Sequence, residues 1–209
     1  MTLVVLVAAF FGLCVGAELL ARSVDLAPEL LRKLVHMSAA VFTAFLPLVV
    51  SFAEIAVLGL IFAAVMAVSA RLHVFDAIHG VSRTTYGEVF FPLGITLLAL
   101  VCQSDLAFAY GVLVLGLGDG LAALVGGRLG RRAFPLLRTS KTLWGSATFL
   151  VVCFALGFVL LVGAGVPPPY ALVAAAAMAV VLTPVELSLT HGLDNLVLPA
   201  LAGLLAAAL

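Results

Sequence analysis

With 209 residues, 65% hydrophobic and only 10% charged, the chain has too few charges to coat a soluble domain, whose composition includes about 25% charged residues. The formal net charge is zero and no Lys/Arg-rich run of binding size occurs, so nothing offers the electrostatic footprint that a nucleic-acid partner requires. What remains is an all-α polytopic integral membrane bundle, a single transmembrane domain over residues 1–209, whose length accommodates about seven or eight spans of ~20 residues and whose catalytic or binding machinery must lie in or beside the membrane.

Apolar runs fall near residues 2–20, 35–52, 54–70, 89–102, 106–126, 145–163, 169–186 and 195–208. The residues after Met1 lack the positive n-region of a leader, so the first run is expected to be a retained span. All ten basic residues lie in three connections: Arg22, Arg32 and Lys33; Arg71 and Arg83; and Arg128, Arg131, Arg132, Arg138 and Lys141. The alternate connections, near Ser51, near Ser104 and from Gly163 to Pro169, carry none. The positive-inside rule therefore puts the basic connections, and by parity residues 187–194, in the cytoplasm and the N-terminus outside. Cys14, Cys102 and Cys153 stand singly in apolar runs and read as small buried hydrophobes.

The chemistry-bearing residues crowd onto that basic face. In Arg32-Lys33-x-x-His36, helical spacing puts His36 one turn after both cations, where the three can meet one anion; snorkelling at a helix end is the plainer reading. Arg83-x-x-Tyr86-Gly87-Glu88 combines a cation, a phenol and an acid where a run enters the membrane. Asp119 lies in the fifth run between Gly118 and Gly120. An ionised group there is penalised by about 2.5–3.5 kcal/mol on insertion scales and marks a functional position. Glycine lets backbone approach a ligand, and a carboxylate beside phosphate oxygens is a usual magnesium ligand.

Lys141-Thr142-x-x-Gly145-Ser146 opens the sixth run. A helix N-terminus with lysine, hydroxyls and glycine makes a triphosphate cradle. The Walker pattern fails, because Ser140 and not glycine precedes Lys141, and the dinucleotide fingerprint fails after Gly118. Glu186 closes the seventh run and Asp194-Asn195 opens the eighth; two carboxylates and an amide in an apolar tail read as a second metal-binding edge.

These segments, in this order and over most of the chain, resemble the CTP-dependent lipid-alcohol kinases: dolichol, phytol and farnesol kinases and the fungal-type diacylglycerol kinase. The resemblance rests on Arg32-Lys33-x-x-His36, Arg83-x-x-Tyr86-Gly87-x-x-x-Phe91-Pro92, Gly118-Asp119-Gly120-x-Ala122-x-x-x-Gly126, Lys141-Thr142-x-x-Gly145-Ser146 and Glu186 with Asp194-Asn195-x-x-x-Pro199. It implies transfer of the γ-phosphoryl group of CTP, with UTP as the alternative donor, to the hydroxyl of a membrane-dissolved alcohol, either an isoprenoid alcohol or diacylglycerol; the short chain resembles the phytol- and farnesol-type members more, which favours the isoprenoid. Mg²⁺ assists, in an enzyme of a prokaryotic cell membrane whose active site faces the cytoplasm.

In that reading Asp119 and Asp194, with Glu186, hold the metal. Lys141, Arg83, Lys33 and Arg32 neutralise phosphate; Gly118, Gly120, Thr142, Gly145, Ser146 and Asn195 complete the nucleotide site. The general base stays open among Asp119, Glu186 and His36, and a homo-oligomer stays open too. Two residues depart from the family pattern: Trp144 stands where Glu or Ala is common, and Ala40 where glycine is common after the histidine. The related phosphatidate cytidylyltransferases share the Asp and Lys-Thr motifs and are the rival reading, although the Asp194-Asn195 to Pro199 tail has the kinase form. A small ion transporter is the third, disfavoured because the charges gather on one face and no inverted repeat is evident.

Overall fold

The structure is a computed structural model that describes residues 2–23, 27–72, 86–130 and 141–209. Among the described residues the chain forms eight helices: α1 (Thr2–Ser23), α2 (Pro28–Ala44), α3 (Phe52–Leu72), α4 (Gly87–Val101), α5 (Asp105–Leu129), α6 (Leu143–Gly163), α7 (Pro168–Ser188) and α8 (Leu193–Ala207). They correspond one for one to the eight apolar runs. Five segments are long and apolar enough to cross a membrane, namely Leu30–Leu48, Phe52–Leu72, Asp105–Leu129, Leu143–Gly163 and Pro168–Ser188. Gly87–Val101 and Leu193–Ala207 are shorter apolar helices. Several apolar helices with this composition mark an integral membrane protein.

Local chemistry sets the helix starts. Ser51 and Glu54 form a reciprocal capping box on α3: the Ser51 hydroxyl accepts from the Glu54 N–H (3.3 Å), and the Glu54 carboxylate accepts from the Ser51 N–H (2.8 Å). Ser104 caps α5 by accepting from Ala107 N–H, and Thr142 caps α6 by accepting from Gly145 N–H. Pro28 and Pro168 occupy first-turn positions, where a missing N–H costs nothing.

α5 is not α-helical throughout. Val114–Asp119 is a π-helical turn between α-helical Asp105–Leu113 and Gly120–Leu129. The wider turn takes in an extra residue, so the faces before and after it are offset; such bulges are frequent at functional sites. Asp119 is its last residue.

Two apolar cores share this helix. One gathers Ala40 of α2, Ile55 of α3, Phe91 and Leu98 of α4 and Phe108 and Leu115 of α5. The other gathers Tyr110, Val114 and Ala122 of α5, Phe149 and Cys153 of α6, Met178 and Leu182 of α7 and Leu198 of α8. α6 packs along α7, α3 along α4, and α8 against both α4 and α5. Small residues permit the close crossings. A methyl at Gly116 would collide with the Ala40 methyl of α2, and one at Gly94 with the Asn195 carbonyl of α8. α2 and α8 therefore press against opposite partners of the two cores, and their N-terminal ends reach the same end of the bundle as Asp119.

Candidate active site

Lys33 lies one turn into α2 and is buried. Its ammonium donates to Asp119 Oδ2 at 2.6 Å, with 8% and 10% of the two side chains exposed. An ion pair this well shielded is expensive to desolvate and is a poor device for stability alone. The second lysine, Lys141, precedes α6 and reaches across to the C-terminal end of α7. It donates to Glu186 Oε1 at 2.5 Å and to the Glu186 backbone carbonyl at 2.7 Å. That carbonyl lies in the last turn, where the helix dipole favours a cation. Lys141 also meets Asp194 Oδ2 at 3.4 Å, from the first turn of α8.

The two ion pairs form one cluster, because the charges of Asp119 and Lys33 reach Asp194 and that of Asp119 reaches Lys141. Burial opposes the charge on Lys141, but the Asp119, Glu186 and Asp194 carboxylates outweigh it and hold its pKa above the ordinary lysine value. Among the described residues, three carboxylates face two ammonium groups in this cluster. Among the described residues, no three His, Cys, Asp or Glu side chains stand together as a ready-made metal site. Each carboxylate instead holds a lysine. Magnesium needs only one or two protein carboxylates beside phosphate oxygens and water, and Glu186 Oε2 is buried without a partner. The donor set fits a phosphate-bound magnesium.

Two further buried polar atoms have no partner among the described residues. Ser146 is buried and its Oγ has no partner. His36 Nε2 is likewise shielded and unpartnered, with the ring edge-on to Phe91 at 4.6 Å. Lys33, Asp119 and Arg32 all act electrostatically on His36. Buried polar atoms without partners cost free energy and are uncommon in native folds.

The structure thus brings together Lys33 and His36 of α2, Asp119 of α5, Lys141 just before α6, Glu186 of α7 and Asp194 of α8. Asn195 is buried beside them, its backbone N–H donating to Asp194 Oδ1 at 3.1 Å. Arg32 diverges from Lys33: it lines a groove with His36 and Glu88. Arg83 lies outside the described residues, as do Arg131, Arg132 and Arg138. The glycines meet protein. A methyl at Gly118 would press on the Phe149 ring (3.1 Å) and one at Gly120 on Met37 (2.6 Å), while Gly145 and Gly126 face each other across the α5–α6 crossing. The Thr142 hydroxyl caps α6.

Of the two departures, Trp144 is 57% exposed and leaves the cluster's shape unaltered. Ala40 is fully buried, with its methyl in the space that Gly116 leaves open. Sequence reasoning passed over Glu88 as a groove residue. Its signal was an acid in the first turn of an otherwise apolar helix.

The chain is 33% identical to the phytol kinase of Synechocystis sp. over 208 residues, covering 96% of this chain and 88% of that protein. It belongs to the phytol kinase family of lipid-alcohol kinases. No family model matches it, and no solved structure does. The alignment runs through all the helices that carry the cluster, so family membership and the convergence of Lys33, Asp119, Lys141, Glu186 and Asp194 concern the same region of the molecule.

Proposed function

We propose that the chain is a CTP-dependent kinase that phosphorylates the hydroxyl of a membrane isoprenoid alcohol of the phytol, farnesol or polyprenol type. The observation that carries this reading is the buried lysine–carboxylate cluster, assembled at one end of a membrane bundle whose relative is a phytol kinase. Phosphoryl transfer needs in-line positioning and neutralisation of phosphate charge more than covalent help from the protein. The cluster is built for that exchange. With a triphosphate bound, Lys33 and Lys141 would exchange carboxylate for phosphate oxygens, and Asp119 and Asp194, with Glu186, would hold Mg²⁺.

Bound there, the metal supplies charge neutralisation to the phosphates. The oxygen of the alcohol forms a bond to the γ-phosphorus as the bond from that phosphorus to the β,γ-bridging oxygen breaks, releasing CDP. The hydroxyl proton passes to His36, whose buried Nε2 has no partner, while the carboxylates would be committed to the metal. Ser146 Oγ and Asn195 donate to phosphate oxygens, and Arg83 adds charge from the neighbouring connection. All eight helices cross the membrane, or seven if α8 does not, and the site faces the cytoplasm of a prokaryotic cell.

The test is purified protein in detergent with Mg²⁺, CTP labelled at the γ or the α position, and a panel of farnesol, phytol, a polyprenol, diacylglycerol and phosphatidate. Label from the γ position in an alcohol phosphate is expected. Label from the α position in a CDP-lipid would make the chain a cytidylyltransferase, and no lipid labelling would refute both enzymes. Asp119→Asn is expected to stay folded and lose turnover; near-normal activity would remove Asp119 from the site.

A further inference from the structure

We propose that the acceptor's hydrocarbon chain is held as a single file in a groove enclosed by α1, α2, α3 and α4, with its hydroxyl end at His36 and the Phe10–Phe62 ring pair gauging its length. This deepens the kinase reading and rests on it.

The groove consists of two cavities, of about 70 and 30 Å³, both open to the surroundings. Helix register shows that they lie end to end. Along α2 the larger is lined by Arg32, Val35, His36 and Ala39, and the smaller by Phe42, Thr43 and Leu46. α3 gives the opposite order along the chain, as its direction requires: Met66 in the larger, Ile55 and Leu58 in the smaller. On α4 the progression is from Gly87 and Glu88 to Ile95, and on α1 from Leu13 to Leu6. All four helices report one axis parallel to themselves. From Met66 to Ile55 that axis runs about 16 Å at 1.5 Å per residue, the reach of a short prenyl chain.

Polarity is ordered along the same axis. Arg32, His36 and Glu88 cluster at one end, and below them the lining is almost wholly aliphatic and aromatic. That distribution complements a molecule with one polar end and one long apolar chain. The polar end is continuous with the phosphoryl-transfer cluster, because His36 sits there with an unpartnered Nε2 and within electrostatic reach of Lys33 and Asp119. Two chains side by side, as in diacylglycerol, do not match a file of cavities arranged end to end.

Where the cavities meet, Phe10 and Phe62 line both, with ring centroids 4.4 Å apart. Phe91 and Pro92 of α4 also line both. Phe10 and Phe62 thus flank the junction of the two cavities, and a longer chain extends further beyond it than a shorter one.

The experiment combines a photoreactive farnesol analogue carrying a diazirine at the chain's far end with kinetics of two variants. In wild-type protein the diazirine is expected to label residues of α1 to α4 that line the groove, in competition with phytol and not with diacylglycerol. Val35→Trp is expected to raise the KM for farnesol by about tenfold or more without changing the KM for CTP, and Phe10→Ala to move the ratio of geranylgeraniol to farnesol use upward by about tenfold. Labels confined to α6 and α7, or competition by diacylglycerol alone, would overturn the groove while leaving the kinase intact. Labelling in the groove by a protein that phosphorylates no alcohol would keep the lipid site and refute the kinase. A wild type that neither labels nor phosphorylates refutes both.

Discussion

Replacing Lys33 and Asp119 singly and together separates a structural pair from a catalytic one. Their side chains are 8% and 10% exposed and their charges meet at 2.6 Å. At an effective dielectric of about 20, such a pair attracts by roughly 4–6 kcal/mol, and desolvation of the two ions consumes a comparable amount. Lys33→Met leaves Asp119 buried without its partner, and the expected loss of unfolding free energy is about 3–5 kcal/mol. Asp119→Leu strands Lys33 and should cost a similar amount. The double variant removes both charges from an apolar surround, so its stability is expected to return to within about 1 kcal/mol of wild type, or to exceed it.

Unfolding in mixed detergent micelles, followed by circular dichroism, gives the four corners of the cycle, and the losses above imply a coupling of about 5–10 kcal/mol, larger than is usual for residues in contact. Phosphorylation assays on the same samples should find the double variant stable and inactive. If the double variant loses as much stability as the two single losses added, the desolvation argument is wrong. If it retains turnover, the pair belongs to the fold and not to the chemistry.

Lys141→Gln should raise the KM for CTP far more than Arg128→Ala, whose side chain is exposed; equal effects would misplace the triphosphate cradle. Because the pKa of Lys141 is raised in the folded protein, its stabilising contribution is full below the unfolded value near ~10.4 and is lost only as pH climbs through the higher folded value. The stability difference between wild type and Lys141→Gln should therefore stay flat from pH 7 to about 10, and a decline within that range would contradict the shift. Ser146→Ala removes a hydroxyl that has no partner, so thermal stability should hold or rise slightly while the KM for CTP increases; a destabilised protein with unchanged kinetics would make Ser146 a packing residue. Chelation of Mg²⁺ should abolish phosphoryl transfer reversibly without unfolding the bundle, as measured by activity before and after readdition.

The helices and most of the site residues were legible because a membrane chain advertises both. Each apolar run became a helix, and Lys33, Asp119, Lys141, Glu186 and Asp194 stood out as ionisable groups that hydrocarbon tolerates only for a reason. Their pairing was not legible. Lys33 and Asp119 are 86 positions apart, and nothing local says that Lys33 turns towards α5 while Arg32, one position earlier, turns towards the groove. The π-helical turn left no pattern in the apolar run that contains it. Gly118, Gly120 and Gly145 looked like ligand contacts because glycine serves close approach of any kind, and the structure uses that freedom for Phe149, Met37 and Ala122. The groove was invisible for a simpler reason: Phe10, Phe62 and Phe91 resemble every other apolar residue until four helices set them around one axis.

The meeting of Ala40 and Gly116 makes each position conditional on the other. The Ala40 methyl fills the void that Gly116 leaves on α5. Alanine at 116 is therefore forbidden here, yet becomes acceptable once residue 40 is glycine. A reciprocal exchange conserves the volume between α2 and α5 although either half alone does not. Epistasis of this kind lets the smaller residue migrate from one helix to the other during divergence while the distance from Lys33 to Asp119 is preserved.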